Sequence, residues 1–178
     1  MQKSLKLKKF CLSCNNLQYV KLETNKIKDN IKCPVYRCLT CGFVFLDKSF
    51  VKKQKKNFYK NNYFHGYDEK FHENKNNIYK KIFDIIKTYL KNSKVLEIGP
   101  GGGYMYHYIR DVVKEYEAIE IGDKLRSKLK NKYNILVYDK LSKIKKKYDT
   151  ILLISVLEHV ENPVNFLNKI KKYLSKNG

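Results

Sequence analysis

The chain has 178 residues, 43% hydrophobic and 13% aromatic, which is enough for one ordinary core with a small appendage and argues against wholesale disorder. No apolar run approaches the roughly 20 residues that a bilayer-spanning helix needs, and the N-terminus lacks a secretory apolar stretch, so a cytoplasmic protein is expected. The formal charge of +21 invites a nucleic-acid partner, but only Arg37, Arg110 and Arg126 among 38 basic residues are arginine. Phosphate and base readers favour the bidentate guanidinium, so a solvated lysine surface is the preferred reading and nucleic acid the less favoured partner.

Four of the five cysteines fall in two Cys-x-x-Cys pairs, Cys11 with Cys14 and Cys38 with Cys41, on either side of the strand-like stretch Leu17 to Leu22. Each pair can sit on a tight turn that offers two thiolates to one tetrahedral ion, with Gly42 at one turn and Asn15 or Asn16 at the other suited to left-handed backbone. Residues 1–50 are therefore expected to form a zinc ribbon. A thioredoxin-like dithiol would need a βαβ unit beside one pair, and disulfides are unexpected in a cytosolic chain. Four thiolates close the coordination sphere, so the zinc is expected to be structural; so small a module buries too little core to fold without such a staple. Cys33 has no place in that tetrahedron and reads as a small buried residue, with exchange for a knuckle cysteine as the less favoured alternative.

Residues 51–75 form an aromatic-rich connection carrying Tyr59, Tyr63, Phe64 and Tyr67, and residues 76–178 a second domain. Residues 76–91 place Ile78, Ile82, Ile85, Ile86 and Leu90 at helical intervals, which predicts an amphipathic entry helix. Strands at about 94–98, 116–121, 134–138 and 149–155 alternate with helices at about 103–115, 123–132 and 164–175, a pattern that predicts parallel βαβ units. Right-handed crossovers would bring the strand ends to one edge, where Gly99, Glu120, Asp139 and Ser155 converge.

The stretch Val95 to Tyr104, VLEIGPGGGY, is an apolar strand that contains a carboxylate, Glu97, and runs into a glycine-rich turn before a helix. Gly99, Gly101 and Gly103 allow positive φ and close ligand approach, and the helix start offers unpaired N–H groups, so a nucleoside-cofactor site is expected. The dinucleotide spacing G-x-G-x-x-G is not met, because Tyr104 stands where the third glycine belongs. His159, just beyond the fourth strand, is the candidate general base, because an unperturbed imidazole titrates near neutrality; the bland alternative is a brace for the following loop, aided by Glu158.

The pattern E-x-G-x-G-x-G from Glu97 to Gly103 resembles the first motif of class I S-adenosylmethionine-dependent methyltransferases. Glu120, at the end of Tyr116 to Ile121, occupies the place where such enzymes hold the two ribose hydroxyls of the cofactor, and Tyr148 to Pro163 is similar to the family's fourth strand with its VLEH ending. The cysteine arrangement with Tyr36 to Phe45 is similar to bacterial small-molecule methyltransferases that carry an N-terminal zinc-binding ribbon. The resemblance implies an α/β fold, a Rossmann-like parallel sheet preceded by a small zinc ribbon, with S-adenosylmethionine and structural zinc as cofactors. It further implies that Glu97 meets the methionine ammonium, that Gly99, Pro100, Gly101 and Gly103 shape the methionine and ribose pocket, that Asp139 approaches the adenine amino group, and that Tyr63 leans over the cofactor. A small-molecule acceptor is expected, with a sugar or cell-surface glycan precursor as the leading class. The alternatives are an RNA methyltransferase that grips RNA with its basic ribbon, and a non-catalytic truncated remnant or scaffold. The last stretch, Leu174 to Gly178, is similar to the turn before the family's fifth strand, so an incomplete methyltransferase fold is expected, with the fourth strand at an exposed edge.

Overall fold

Side-chain alternation along three short strands organises the first module of the computed structural model, which describes residues 10–22, 34–46 and 69–178, the last span in side-chain detail from residue 76. Strands β1 (Tyr19–Leu22), β2 (Val35–Cys38) and β3 (Val44–Leu46) form an antiparallel sheet in that order, with Tyr19 opposite Cys38 and Tyr36 opposite Phe45. In β2, Tyr36 and Cys38 are buried on one face, while on the other Arg37 is exposed and Val35 is buried. Among the described residues the module's core cluster is Cys11, Tyr36, Cys38 and Phe45, with Tyr19 and Phe43 packed against it. Tyr19 meets Tyr36 edge-on with ring centroids 5.2 Å apart.

The second unit begins with helix α1 (Glu69–Leu90), which starts seven residues earlier than the apolar spacing predicts. It ends where Asn92 adopts φ 55° and the Ser93 hydroxyl donates to the Leu90 carbonyl at 2.7 Å. Then come β4 (Lys94–Ile98), α2 (Tyr104–Ile109), β5 (Glu115–Ile119), α3 (Asp123–Tyr133), β6 (Leu136–Tyr138), β7 (Thr150–Leu152) and α4 (Pro163–Ile170), with short 3-10 turns at Leu141–Lys143, Leu157–His159 and Lys171–Tyr173. The four strands are parallel in the order β6-β5-β4-β7. The chain thus enters at β4, builds outward through β5 and β6, and crosses back to β7, so the direction of winding switches between β4 and β7. In an open parallel sheet that switch point is where ligands bind, beyond the carboxyl ends of the strands.

Register separates the two faces of this sheet. Val95 and Glu97 of β4 pair with Tyr116 and Ala118 of β5, and with Thr150 and Leu152 of β7. This face carries the main core, where Tyr79 and Leu90 of α1, Met105 and Ile109 of α2 and Leu129 of α3 join Val95, Ala118, Val137 and Leu152. The opposite face presents Leu96, Ile98, Glu117 and Ile119, all buried. Glu117 stays there because its charge is matched and both oxygens are engaged: Tyr148 donates to one and Lys146 pairs with the other, the lysine also reaching Glu115.

Several elements are shorter than the apolar pattern predicts, among them β6, which starts only at Leu136 after Asn134 turns left-handed, and α4, which gives way to a 3-10 turn after Ile170. The helix after the glycine turn stops at Ile109, where the Val112 and Val113 amides turn back to the Ile109 carbonyl; both valines still pack on the core, but from a turn that delivers the chain to β5. Strand β7 stops at Leu152, and Ser155, at φ 53°, has left extended geometry altogether. β7 is the outermost of the four described strands on its side, and the chain just before it is held, since Tyr148 forms an isolated parallel bridge with Leu174. Asn162 caps α4 by accepting the Asn165 amide at 3.0 Å, with Pro163 in the first helical position.

Gly103, the residue before α2, sits at φ 79°, and a Cβ built there would come within 2.7 Å of Tyr133 and 2.8 Å of Leu129. Gly103→Ala is expected to destabilise the protein by about 1–3 kcal/mol through the left-handed backbone, with the side-chain clash adding to it. Urea unfolding checks this, and an unchanged midpoint would count against the turn geometry.

Candidate functional site

Strand β4 delivers Glu97 into the face of the sheet that carries the main core, where it is 1% exposed. Its partner is the hydroxyl of Tyr116, which donates to Glu97 Oε2 at 2.6 Å. No ion pair forms at Glu97 among the described residues. Burial pushes its carboxyl up to about 7, the Tyr116 hydrogen bond opposes that rise, and the nearby Glu120 carboxylate adds to it.

One residue past β4 the chain turns sharply. Gly99 has φ 70° and a Cβ there would lie 2.9 Å from Val156, so the turn crosses against the segment that follows β7. The Gly99 amide donates to the Ile119 carbonyl at 2.8 Å, tying the turn to the end of β5, and Pro100 is buried beneath it, accepting the Gly103 amide at 2.9 Å. Glu120 leaves β5 directly beside this turn, 6% exposed, and accepts the Gly122 amide at 2.8 Å and the Gly101 amide at 3.3 Å. Burial raises its carboxyl and the two amides oppose the shift. The nearby Arg126 charge and the Ile121 amide also oppose it, and a carboxylate with about four lone-pair directions keeps room for hydroxyl donors. Arg126 does not pair with this carboxylate; it donates to the Glu120 carbonyl at 2.8 Å and pairs with Asp123, which fixes the backbone that carries Glu120.

The strand ends thus bring Gly99, Pro100, Gly101, Gly103 and Glu120 together around one turn, with Glu97 two residues before it on β4 and bonded to Tyr116. Asp139 follows Tyr138, whose carbonyl accepts the Glu120 amide at 2.9 Å, so its backbone is adjacent. Its side chain pairs with Lys143 at 2.9 Å, and that contact holds its carboxyl below the usual range. Ser155 is exposed at its left-handed position next to Val156, and His159 is exposed in the 3-10 turn that follows. Tyr63, and with it Tyr59, Phe64 and Tyr67, lies outside the described residues, as does Cys33. Tyr116, Val156 and Arg126 complete the constellation without having stood out as site residues. The period-2 spacing of Tyr116, Ala118 and Glu120 is the signal that places Tyr116 on the face of Glu97.

In the first module the four sulfurs of Cys11, Cys14, Cys38 and Cys41 lie within 4.8 Å of one another. Cys11 Sγ is 3.6 Å from Cys41 Sγ, and Cys14 Sγ is 3.6 Å from Cys38 Sγ. Four sulfurs at about 2.3 Å from a tetrahedral zinc would be about 3.8 Å apart, so the cluster fits that ion. The two knuckles repeat one backbone plan. The Asn15 amide donates to the Cys11 carbonyl and the Gly42 amide to the Cys38 carbonyl, both at 3.0 Å, and Asn15 and Gly42 are both left-handed, at φ 60° and 73°. The Cys41 amide, followed by that of Thr40, lowers the Cys38 thiol to about 6, whereas Cys14, although the Asn16 amide opposes it, is pushed up to about 12 by burial and the neighbouring thiols, so the cluster shares its protons unevenly.

This fold and glycine turn define a methyltransferase domain, and the chain belongs to that family, whose model matches residues 72–178. Among individual proteins it is 34% identical over 98 residues to a ubiquinone biosynthesis O-methyltransferase of Pelagibacter ubique (strain HTCC1062), a match that covers 50% of this chain and 40% of that one. The chain therefore spans less than half the length of the curated relative it matches. In fold it is similar to magnesium protoporphyrin IX methyltransferase from Synechocystis PCC 6803, crystallised with bound S-adenosylmethionine, at a TM-score of 0.54 and 14% identity over 72% of each chain.

The buried Glu97 has a consequence for stability. Its folded carboxyl is raised above the ordinary value of 4.5 to about 7, so its contribution is fully present below about pH 4.5 and is lost as pH rises through 7. Glu97→Gln removes the titration and is expected to stabilise the chain relative to the wild type at pH 8 but not at pH 5, by an amount on the order of 3 kcal/mol at most. Urea unfolding of both proteins at the two pH values checks the sign; a difference that does not grow with pH would contradict it.

Proposed function

We propose that this chain binds S-adenosylmethionine at the carboxyl ends of β4 and β5 and transfers its methyl group to a small-molecule acceptor. The observation that carries the reading is the pair of buried carboxylates, Glu97 and Glu120, joined across a left-handed glycine turn at the switch point of a methyltransferase-family sheet. The chemistry of the site supports this cofactor. Glu97, a buried acid without a cation among the described residues, suits the methionine ammonium. The free lone pairs of Glu120 suit two ribose hydroxyls, and the Gly99–Gly103 backbone shapes the pocket between them, with Asp139 and Ser155 at its margin.

The cofactor brings an already activated methyl group, so the protein's part is to align the acceptor and to manage its proton. His159 is the candidate for that proton. The sugar or glycan-precursor acceptor expected from sequence has no counterpart in the curated relative, named for ubiquinone biosynthesis, so the acceptor is held at the level of a small molecule. Residues 76–178 carry the cofactor site in this reading, and residues 1–50 act as a zinc-stapled module held by Cys11, Cys14, Cys38 and Cys41.

Calorimetric titration of the zinc-loaded, folded chain with S-adenosylhomocysteine and, separately, NADH tests the cofactor. Selective binding of S-adenosylhomocysteine is expected, with Glu120→Ala losing at least about tenfold in affinity through two lost charge-assisted hydrogen bonds. Binding of neither ligand would overturn the reading, and salt-sensitive RNA affinity of the same chain would move it toward an RNA substrate. Cys11→Ser together with Cys38→Ser is expected to abolish stoichiometric zinc, measured by metal analysis after gel filtration; retained zinc would rule out the four-thiolate site.

A further inference from the structure

Tyr116 is an anomaly of its surroundings. It stands on the sheet face built from Val95, Ala118, Val137 and Leu152, where a phenylalanine would serve the packing equally well. A buried hydroxyl is costly unless it is bonded, and this one is bonded to Glu97 Oε2 at 2.6 Å. Among the described residues Glu97 Oε1 accepts no hydrogen bond. One carboxylate oxygen is thus tethered and the other is available to a ligand.

The tether is itself held in place. Tyr106, in the first turns of α2, packs on Tyr116 with ring centroids 4.6 Å apart, and Tyr133 of α3 meets Tyr106 edge-on at 5.1 Å. Tyr133 also walls Gly103, the residue from which α2 starts. The glycine turn, α2, the three tyrosine rings and Glu97 therefore form one closed circuit of contacts, the kind of supporting shell that keeps a binding group in a single geometry. Burial raises the Tyr116 hydroxyl well above its usual range, so it remains a donor at any pH the protein meets.

We infer that Tyr116 is a positioning residue for cofactor binding: its hydroxyl tethers Oε2 of Glu97 and so holds the carboxylate in the orientation that meets a cationic ammonium. The inference rests on the cofactor reading above. The groups around Glu97 give its titration a simple origin. Glu120 beyond β5 disfavours the charge and Tyr116 of β5 favours it, while β7 presents Leu152 at the paired position and α1 and α2 present Tyr79, Tyr104 and Met105 on this face. When an ammonium group binds, a protonated Glu97 releases its proton to solvent, so affinity depends on pH in the range where Glu97 titrates.

The test is calorimetric titration of the full chain with S-adenosylhomocysteine from pH 6 to 8, for the wild type, Tyr116→Phe, Glu97→Gln and the double variant, each checked for folding by thermal unfolding. The wild-type affinity is expected to rise with pH and level off. Tyr116→Phe is expected to bind about tenfold more weakly at pH 7 and to move the rise upward by about one pH unit. Glu97→Gln is expected to flatten the profile, and in its background Tyr116→Phe costs less than about twofold. A folded Tyr116→Phe with the wild-type profile overturns the inference. If that variant does not fold, a Glu97→Gln protein that keeps the wild-type pH dependence overturns it instead. A wild-type chain that binds S-adenosylhomocysteine with no pH dependence sinks this inference alone, whereas one that binds none at any pH sinks the cofactor reading with it.

Discussion

A carboxylate set into an apolar sheet face governs the second unit of this protein. Glu97 lies between Ala118 and Leu152 in the register of three parallel strands, a position that packing alone would give to valine or isoleucine. Holding an acid there requires a donor inside the core, which Tyr116 supplies, and a second acid at the rim, Glu120, whose charge is met by amides of the turns around it. Neighbouring elements fit round this arrangement. The glycine turn passes close enough to Val156 to leave no room for a side chain at Gly99, and α2 starts from a residue whose missing Cβ makes space for Tyr133 and Leu129. Polar groups are thus buried here at a cost to the fold, with Tyr116 and the turn amides offsetting part of it.

The opposite sheet face solves a similar problem with different means. Glu117 is as buried as Glu120, yet it is matched by Lys146 and by the Tyr148 hydroxyl, so its charge is neutralised within the chain. Glu120, just past the end of the same strand, has no cation paired to its carboxylate among the described residues and is met by the amides of Gly101 and Gly122 instead.

How much of this was legible in the sequence depended on the range of the interactions. The glycine turn, both cysteine knuckles and the β-α alternation are local demands of the backbone and leave local marks, as with Asn15 and Gly42 at equivalent points of the two knuckles. The end of α2 was not legible, because Val112 and Val113 continue the apolar spacing while the chain has already turned toward Glu115. The partner of Glu97 was not legible either, since Tyr116 meets it only through the register of β4 against β5. Arg126 looked like one more surface cation; its role is to hold the Glu120 carbonyl, a backbone contact that no residue spacing announces.

The ribbon's sulfur contacts pair Cys11 with Cys41 and Cys14 with Cys38, so each close pair joins one knuckle to the other. A metal there closes a loop that contains the whole β1–β2 connection. Once a loop is closed at its base, its length weighs little on stability, with a doubling costing only about 0.6 kcal/mol in closure entropy. In the proposed zinc-bound ribbon, the length of the connection between the two knuckles would therefore be only weakly constrained by the stability of the frame.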